Sequence, residues 1–205
     1  MGGVIMKKLL IVLLLIAVIV WSGGIVKDRL MLRNELIRLH VVGESNAEED
    51  QNVKLQVRDA IIAQLESVMA KMPDVETAKA YLQAHLGELE AISNKTLEAA
   101  GSTAKAVVTL AQEAFPTREY DTFSLPAGVY ESLRITIGEG AGRNWWCVVF
   151  PRFCGAATST QMKDTAVSAG FSEELGTTLT ERPQTKVRFF VLDCLGWLEN
   201  LFYKI

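Results

Sequence analysis

The sequence predicts an α+β fold carried behind an N-terminal membrane or signal helix, and three features predict it. An uncharged apolar run lies near the start, two stretches follow whose apolar residues recur at steps of three and four, and later stretches alternate apolar with polar residues. The first pattern belongs to a segment in lipid, the second to amphipathic helices, the third to strands with one wet face. The expected architecture after the leading helix is one mixed domain, with two amphipathic helices packed on a largely antiparallel sheet.

The apolar run is Leu9 to Val26, eighteen residues without a charge, preceded by Lys7 and Lys8. A helix apolar on every side cannot lie half-exposed on a small domain, and eighteen residues reach the lower limit for crossing a bilayer. Residues 1–26 are therefore read as a signal peptide or membrane anchor. Both stay open, because Ser22 and Gly24 place small residues where a signal peptidase could cut. Lys7 and Lys8 favour a cytoplasmic N-terminus while Lys27, Arg29 and Arg33 oppose it. Long domains translocate largely regardless of such charges, so the domain is read as exported. Residues 27–35 read as a linker and 36–205 as a single domain.

In "LIRLHVV", Ile37, Leu39 and Val41 alternate with Arg38, His40 and Val42, which predicts a strand with one wet face and His40 on its surface. Ser45 and Glu48 have capping-box spacing before a helix whose stripe is Val53, Val57, Ile61, Leu65, Val68 and Met72, ended by Pro73. Asp74 then caps a second helix carrying Val75, Ala78, Leu82, Leu86, Leu89 and Leu97 up to Gly101. His85 flanks that stripe, and Glu88, Glu90 and Glu98 read as an exposed face. Ala106 to Phe115 and Leu133 to Ile137 are further strands.

Charge narrows the function. With 21 Lys and Arg against 24 Asp and Glu, net −3, no basic face is expected for phosphates, so nucleic acid is not an expected partner. His40 and His85 stand in no metal-ligand spacing with each other or with a cysteine, so no metal site is expected. "GEGAG" (138–142) has Gly-x-Gly-x-Gly spacing after a strand, but a β-rich run follows it instead of a helix. It reads as a turn and not as a nucleotide cradle. No cofactor and no small-molecule substrate is expected.

The densest stretch is "GRNWWCVVFPRFC" (142–154). Neighbours in a strand point to opposite faces, so Trp145 and Trp146 cannot both bury against one core. Either both are covered between two layers or one is open to a partner. Asn144, Trp145, Trp146, Phe150 and Pro151 are the candidate partner-binding residues. Cys147 and Cys154 are a candidate disulfide, permitted in an exported domain if Pro151 turns the chain back. Cys194 is then a spare, buried thiol. Two other uses stay open: Cys147 as the nucleophile of an exported thiol hydrolase with His40 or His85, or the whole domain as a non-catalytic cell-envelope interaction module.

Residues 155–184 shift to Ala, Ser, Thr and Gly with little periodicity and read as a flexible insertion. "KVRFFVL" (186–192) reads as a returning strand. A short helix with Leu195, Trp197, Leu198, Leu201 and Phe202 closes the chain, its apolar face expected in the core in preference to a membrane surface.

"IRLHVVGESN", "QNVKLQVRDAI", "LPAGVYESLRITIGEGAGRNWWCVVFPRFC" and a final "VRFFVLD" together resemble the stage II sporulation protein R family of endospore-forming bacteria. The resemblance covers about residues 36–154 and 186–205, with Arg143 as an added residue between Gly142 and Asn144. It implies a signalling protein and not an enzyme. It further implies synthesis in the forespore, export into the space between the two membranes, and activation of a membrane-embedded aspartic-type peptidase that processes pro-sigma-E in the mother cell.

Overall fold

The structure is a computed structural model that describes residues 2–153, 158–181 and 187–203, with side chains from Ile5 onward. Helix α1 (Gly2–Asn34) leads directly into strand β1 (Ile37–Val42). Helices α2 (Glu48–Met69), α3 (Val75–Ala84) and α4 (Leu86–Ala99) follow, then β2 (Ala106–Phe115), the short strands β3 (Arg118–Glu119) and β4 (Ser124–Leu125), β5 (Gly128–Ile137) and β6 (Asn144–Phe150). Helices α5 (Ser159–Ser168), α6 (Glu173–Thr180) and α7 (Val187–Tyr203) complete the described chain.

Four strands form one sheet in the order β2-β5-β1-β6, and β3 pairs with β4 in a separate hairpin. β2 with β5 and β1 with β6 are antiparallel, while β1 with β5 is parallel. The expected α+β architecture is therefore the observed one, with a mixed sheet that is mostly antiparallel.

Both faces of the sheet are covered, which places β1 between two cores. On the first face Ile37, Leu39, Val41, Leu133, Ile135 and Val108 meet Val57, Ile61, Leu65, Ala78, Leu82, Leu89 and Leu97 of α2 to α4. These are the two stripes read from the sequence, and burying each of their larger aliphatic side chains stabilises the fold by about 2 kcal/mol. On the second face Phe115, Tyr130 and Val148 meet Ile25 and Leu32 of α1, Phe123 and Leu125 of the hairpin, and Met162, Ala166, Leu175, Leu179, Phe189 and Leu192 of α5 to α7.

That second layer overturns several expectations. Residues 27–34, expected as a linker, continue α1, because Asp28 and Leu32 bury against the domain. The expected flexible insertion carries α5 and α6, capped by Thr158 and Ser172 side chains; residues 154–157 and 182–186 lie outside the described residues. Residues 187–192, expected as a strand, form the start of α7: Phe189, Leu192 and Gly196 recur at helical spacing and all are buried. Cys194, expected as a buried thiol, is exposed on that helix.

Smaller differences lie among α2 to α4. The helix expected from Val75 to Leu97 breaks at His85, which closes α3 and opens α4 while its ring stacks on Tyr81 at 3.9 Å. Asp74 does cap α3, accepting from Thr77 N–H, and that bond holds its carboxyl below the ordinary range. Ser45 makes no capping box: α2 begins at Glu48 after Ala47, and the Ser45 hydroxyl serves Ala47 N–H and Asp50 instead. Glu90, expected to be exposed, accepts from Val108 N–H at 3.1 Å, tying α4 to the outer edge of β2.

Candidate functional site

The turn before β6 determines where the tryptophans stand. Gly138 and Gly140 have φ of 55° and 64°, a conformation that favours glycine. Gly142 N–H donates to Gly43 O at 2.8 Å and Ala141 N–H to Glu44 O at 3.1 Å, so "GEGAG" docks on the loop after β1. A Cβ at Gly142 would lie 2.3 Å from Ser45 O, which explains glycine at this close approach. Lys54, on α2, donates to Arg143 O at 2.9 Å, which ties the turn to that helix. Burial, with Arg143 and Arg58 nearby, pushes the Lys54 ammonium down from its ordinary value.

β6 is an edge strand, and its two tryptophans take opposite faces as strand geometry requires. Trp145 lies opposite Val41 and joins the first core, with the Arg58 guanidinium 5.0 Å from its ring centroid. Trp146 lies opposite His40 and joins the second core; it stacks on the imidazole at 5.4 Å and holds Arg118 at 3.5 Å. Each indole is half-buried and arginine-capped, so neither alternative weighed above describes them fully. Asn144 is exposed, whereas Phe150 and Pro151 are buried, Phe150 in the first core. The surface these five residues offer is therefore Asn144 with the rims of the two indoles.

His40, expected on a surface, is 5% exposed because helices and hairpin cover this side of β1. Its Nδ1 lies 2.9 and 3.0 Å from the Glu113 carboxylate oxygens, and its Nε2 2.9 Å from Asn144 Oδ1. A carboxylate only accepts, so the proton between them sits on Nδ1. Ser132 Oγ and Arg134 Nη1 also donate to Glu113, at 2.9 and 2.7 Å. Burial pushes the Glu113 carboxyl up, but the bonds and charge from His40, with Ser132 and Arg134, outweigh it and hold the group below its ordinary value. One carboxylate on β2 thus joins β5, β1 and, through His40 and Asn144, the head of β6.

Arg38, two residues before His40 on the same face, is fully buried. Its guanidinium stands 4.1 Å from the Phe115 centroid and 5.1 Å from Tyr130, and Nη2 donates to Tyr120 at 2.8 Å. Ring faces offer negative potential that offsets part of the cost of burying this cation. Burial pushes the Tyr130 phenol up to about 12. Arg118, beside Arg38, is held below the ordinary arginine value by burial and by that neighbour. Glu113, Arg134, Arg38 and Arg118 were not singled out from the sequence. The signal was present as polar residues sharing one strand parity, 38 with 40 and 132 with 134, which reads as a wet face until the covering layer is known.

Cys147 is buried and disulfide-bonded, and Cys194 is a free thiol; Cys154 lies outside the described residues. Among the described residues no group of three His, Cys, Asp or Glu side chains is arranged to hold a metal ion. Helix α1 is long and apolar enough to cross a membrane over Ile5–Asn34.

A helix long and apolar enough to cross a membrane, joined without a break to an α+β domain whose edge strand carries two arginine-capped tryptophans, defines the class of protein. A model of the stage II sporulation protein R family matches residues 33–160, and the chain belongs to that family. Stage II sporulation protein R of Bacillus subtilis (strain 168) is 29% identical over 191 residues, covering 84% of each chain. No solved structure matches.

Proposed function

We propose that this chain is an exported sporulation signal, passing from the forespore into the intermembrane space, where it activates a membrane-embedded aspartic-type peptidase that processes pro-sigma-E in the mother cell. Membership of the stage II sporulation protein R family is the observation that carries the reading. The site supports it with a contact face suited to a protein: aromatic and arginine side chains at the centre of an interface supply most of its binding energy. Trp146 under Arg118, with Asn144 beside it, is the proposed contact, and Trp145 under Arg58 its neighbour on the other face of β6.

The structure gives little support to the thiol-hydrolase reading, Cys147 with His40 or His85: Cys147 is in a disulfide, His40 is engaged at both ring nitrogens by Glu113 and Asn144, and His85 Nδ1 lies 2.7 Å from Tyr81 O. We propose that Cys147 pairs with Cys154, which would restrain the chain after β6 and stabilise the domain by roughly 2–3 kcal/mol. Alkylation of the native exported protein followed by mass spectrometry should label position 194 alone. Label at Cys147 without prior reduction would contradict the pairing.

Co-expression with the candidate peptidase and its pro-sigma substrate in a non-sporulating host tests the function. Substrate cleavage that depends on this chain is expected, and cleavage that is indifferent to it would refute the reading.

A further inference from the structure

Helix α7 has no face made for water. Its three charged residues all turn into the protein: Arg188 to Asp28 at 2.6 Å and to Glu174, Asp193 to Thr117 Oγ1 and Ala127 N–H at 2.5 and 2.7 Å, and Glu199 to Arg29 and Arg33. Asn200 donates inward to Phe115 O at 2.7 Å. Opposite the buried Phe189, Leu192 and Gly196, the outer stripe is Val187, Phe190, Cys194, Trp197 and Leu201, flanked by Leu198 and Phe202. Phe190, Trp197 and Phe202 are 64%, 61% and 70% exposed. Three aromatics at such exposure leave on the order of 400 Å² of ring open, which as one contiguous patch marks an interaction site on a soluble domain.

Position identifies the occupant. Eighteen uncharged residues of α1 rise about 27 Å, close to the thickness of the hydrocarbon layer, so charge resumes at Lys27 near the layer's edge. The first turn of α7 stands at that level: Arg188 bonds Asp28, and a Cβ on Gly24 would lie 3.5 Å from its guanidinium. Val26 and Leu30 of α1 are themselves 55% and 51% exposed, so the apolar surface continues from the span onto the domain. Aromatic rings are the side chains that favour this depth.

We propose that the outer face of α7 seats in the acyl and headgroup boundary of the leaflet from which α1 emerges, so that the domain lies on the bilayer and is not merely tethered to it. The proposal rests on α1 being in lipid. Its occupant is lipid; a protein partner or a second copy on the same face are competing outcomes of the test.

The native thiol makes the test direct, because Cys194 is on the stripe and is free. The full chain is reconstituted in nanodiscs of phosphatidylcholine and phosphatidylglycerol with a nitroxide on Cys194, and collision with oxygen is compared with collision with a water-soluble nickel chelate. Leu14→Cys and Gln56→Cys, each combined with Cys194→Ser, supply references within the span and on the exposed side of α2. The Cys194 label should match the Leu14 label in favouring oxygen, and the Gln56 label should show the reverse. Phe190→Asp with Trp197→Asp should invert the Cys194 ratio while the Leu14 label stays lipid-like. A Cys194 label that reads as aqueous beside a lipid-like Leu14 label overturns the proposal alone. An aqueous Leu14 label removes the anchor and the proposal with it. Dipolar broadening between two Cys194 labels would assign the face to a second copy and overturn lipid as its occupant.

Discussion

The sheet is closed on its two sides by helices of opposite character. On the first face α2, α3 and α4 turn apolar stripes inward and leave Glu49, Gln56, Asp59, Glu66, Glu76 and Glu98 in water. On the second face α7 turns its charged residues inward, to α1, α6 and the start of β5, and leaves Phe190, Trp197 and Phe202 outside. The first is an ordinary soluble layer held by burial of aliphatic side chains. The second keeps buried arginines, a carboxylate network and an apolar exterior, and is joined to a helix suited to lipid. Both layers carry a buried core, but the outward surface of the first is charged and that of α7 is apolar.

The largest expected effect comes from separating α7 from the second face. A Cβ on Gly196 would lie 1.6 Å from Ala127 O, a backbone atom that cannot yield. Gly196→Ala should cost at least about 3 kcal/mol, the upper end for overpacking. Hydrogen exchange should show α7 losing protection while α2 keeps it; equal loss in both would mean that the two faces do not fold as separable layers. Ile61→Ala, a cavity in the first core, should cost about 2–4 kcal/mol in chemical denaturation. It should leave the Trp146 face competent to signal.

Glu113 provides a smaller, pH-dependent break. Its carboxyl is held below the ordinary 4.5 in the folded chain, so its contribution is complete above that value and is lost as pH falls through the depressed folded value. Glu113→Gln should lower stability at neutral pH by about 2 kcal/mol, as expected for losing bonds to a charged group. It should also flatten the acid limb of the stability profile. An unchanged acid limb would show that the carboxylate does not bind the four strands together.

The first face was legible in the sequence and the second was not, for physical reasons. Val53 to Met72 and Val75 to Leu97 show helical periodicity because one side of each helix is wet. Helices α5 to α7 hide that signal: Met162, Ala166, Leu175 and Leu179 are sparse contacts, and α7 is apolar on both sides, so "KVRFFVL" matches a strand as well as a helix. His40 looked exposed because its alternation with Leu39 and Val41 reports parity within β1 and not what covers each side. Of the site, the opposed tryptophans followed from strand geometry. Their arginine caps did not, since Arg58 and Arg118 come from distant stretches of chain.

The central claim is that the Trp146 side of β6 delivers the signal, and the most direct measurement is pro-sigma-E cleavage in the reconstituted host with Trp146→Ala and Trp145→Ala compared at equal folded protein. Removing an indole at the centre of a contact costs about 2 kcal/mol or more of binding, at least some thirtyfold in affinity. Trp146→Ala should therefore suppress cleavage in a domain whose thermal unfolding remains cooperative, while Trp145→Ala, lodged against the first core, should act chiefly by lowering stability. Full cleavage with folded Trp146→Ala would contradict the assignment and move the contact off this face.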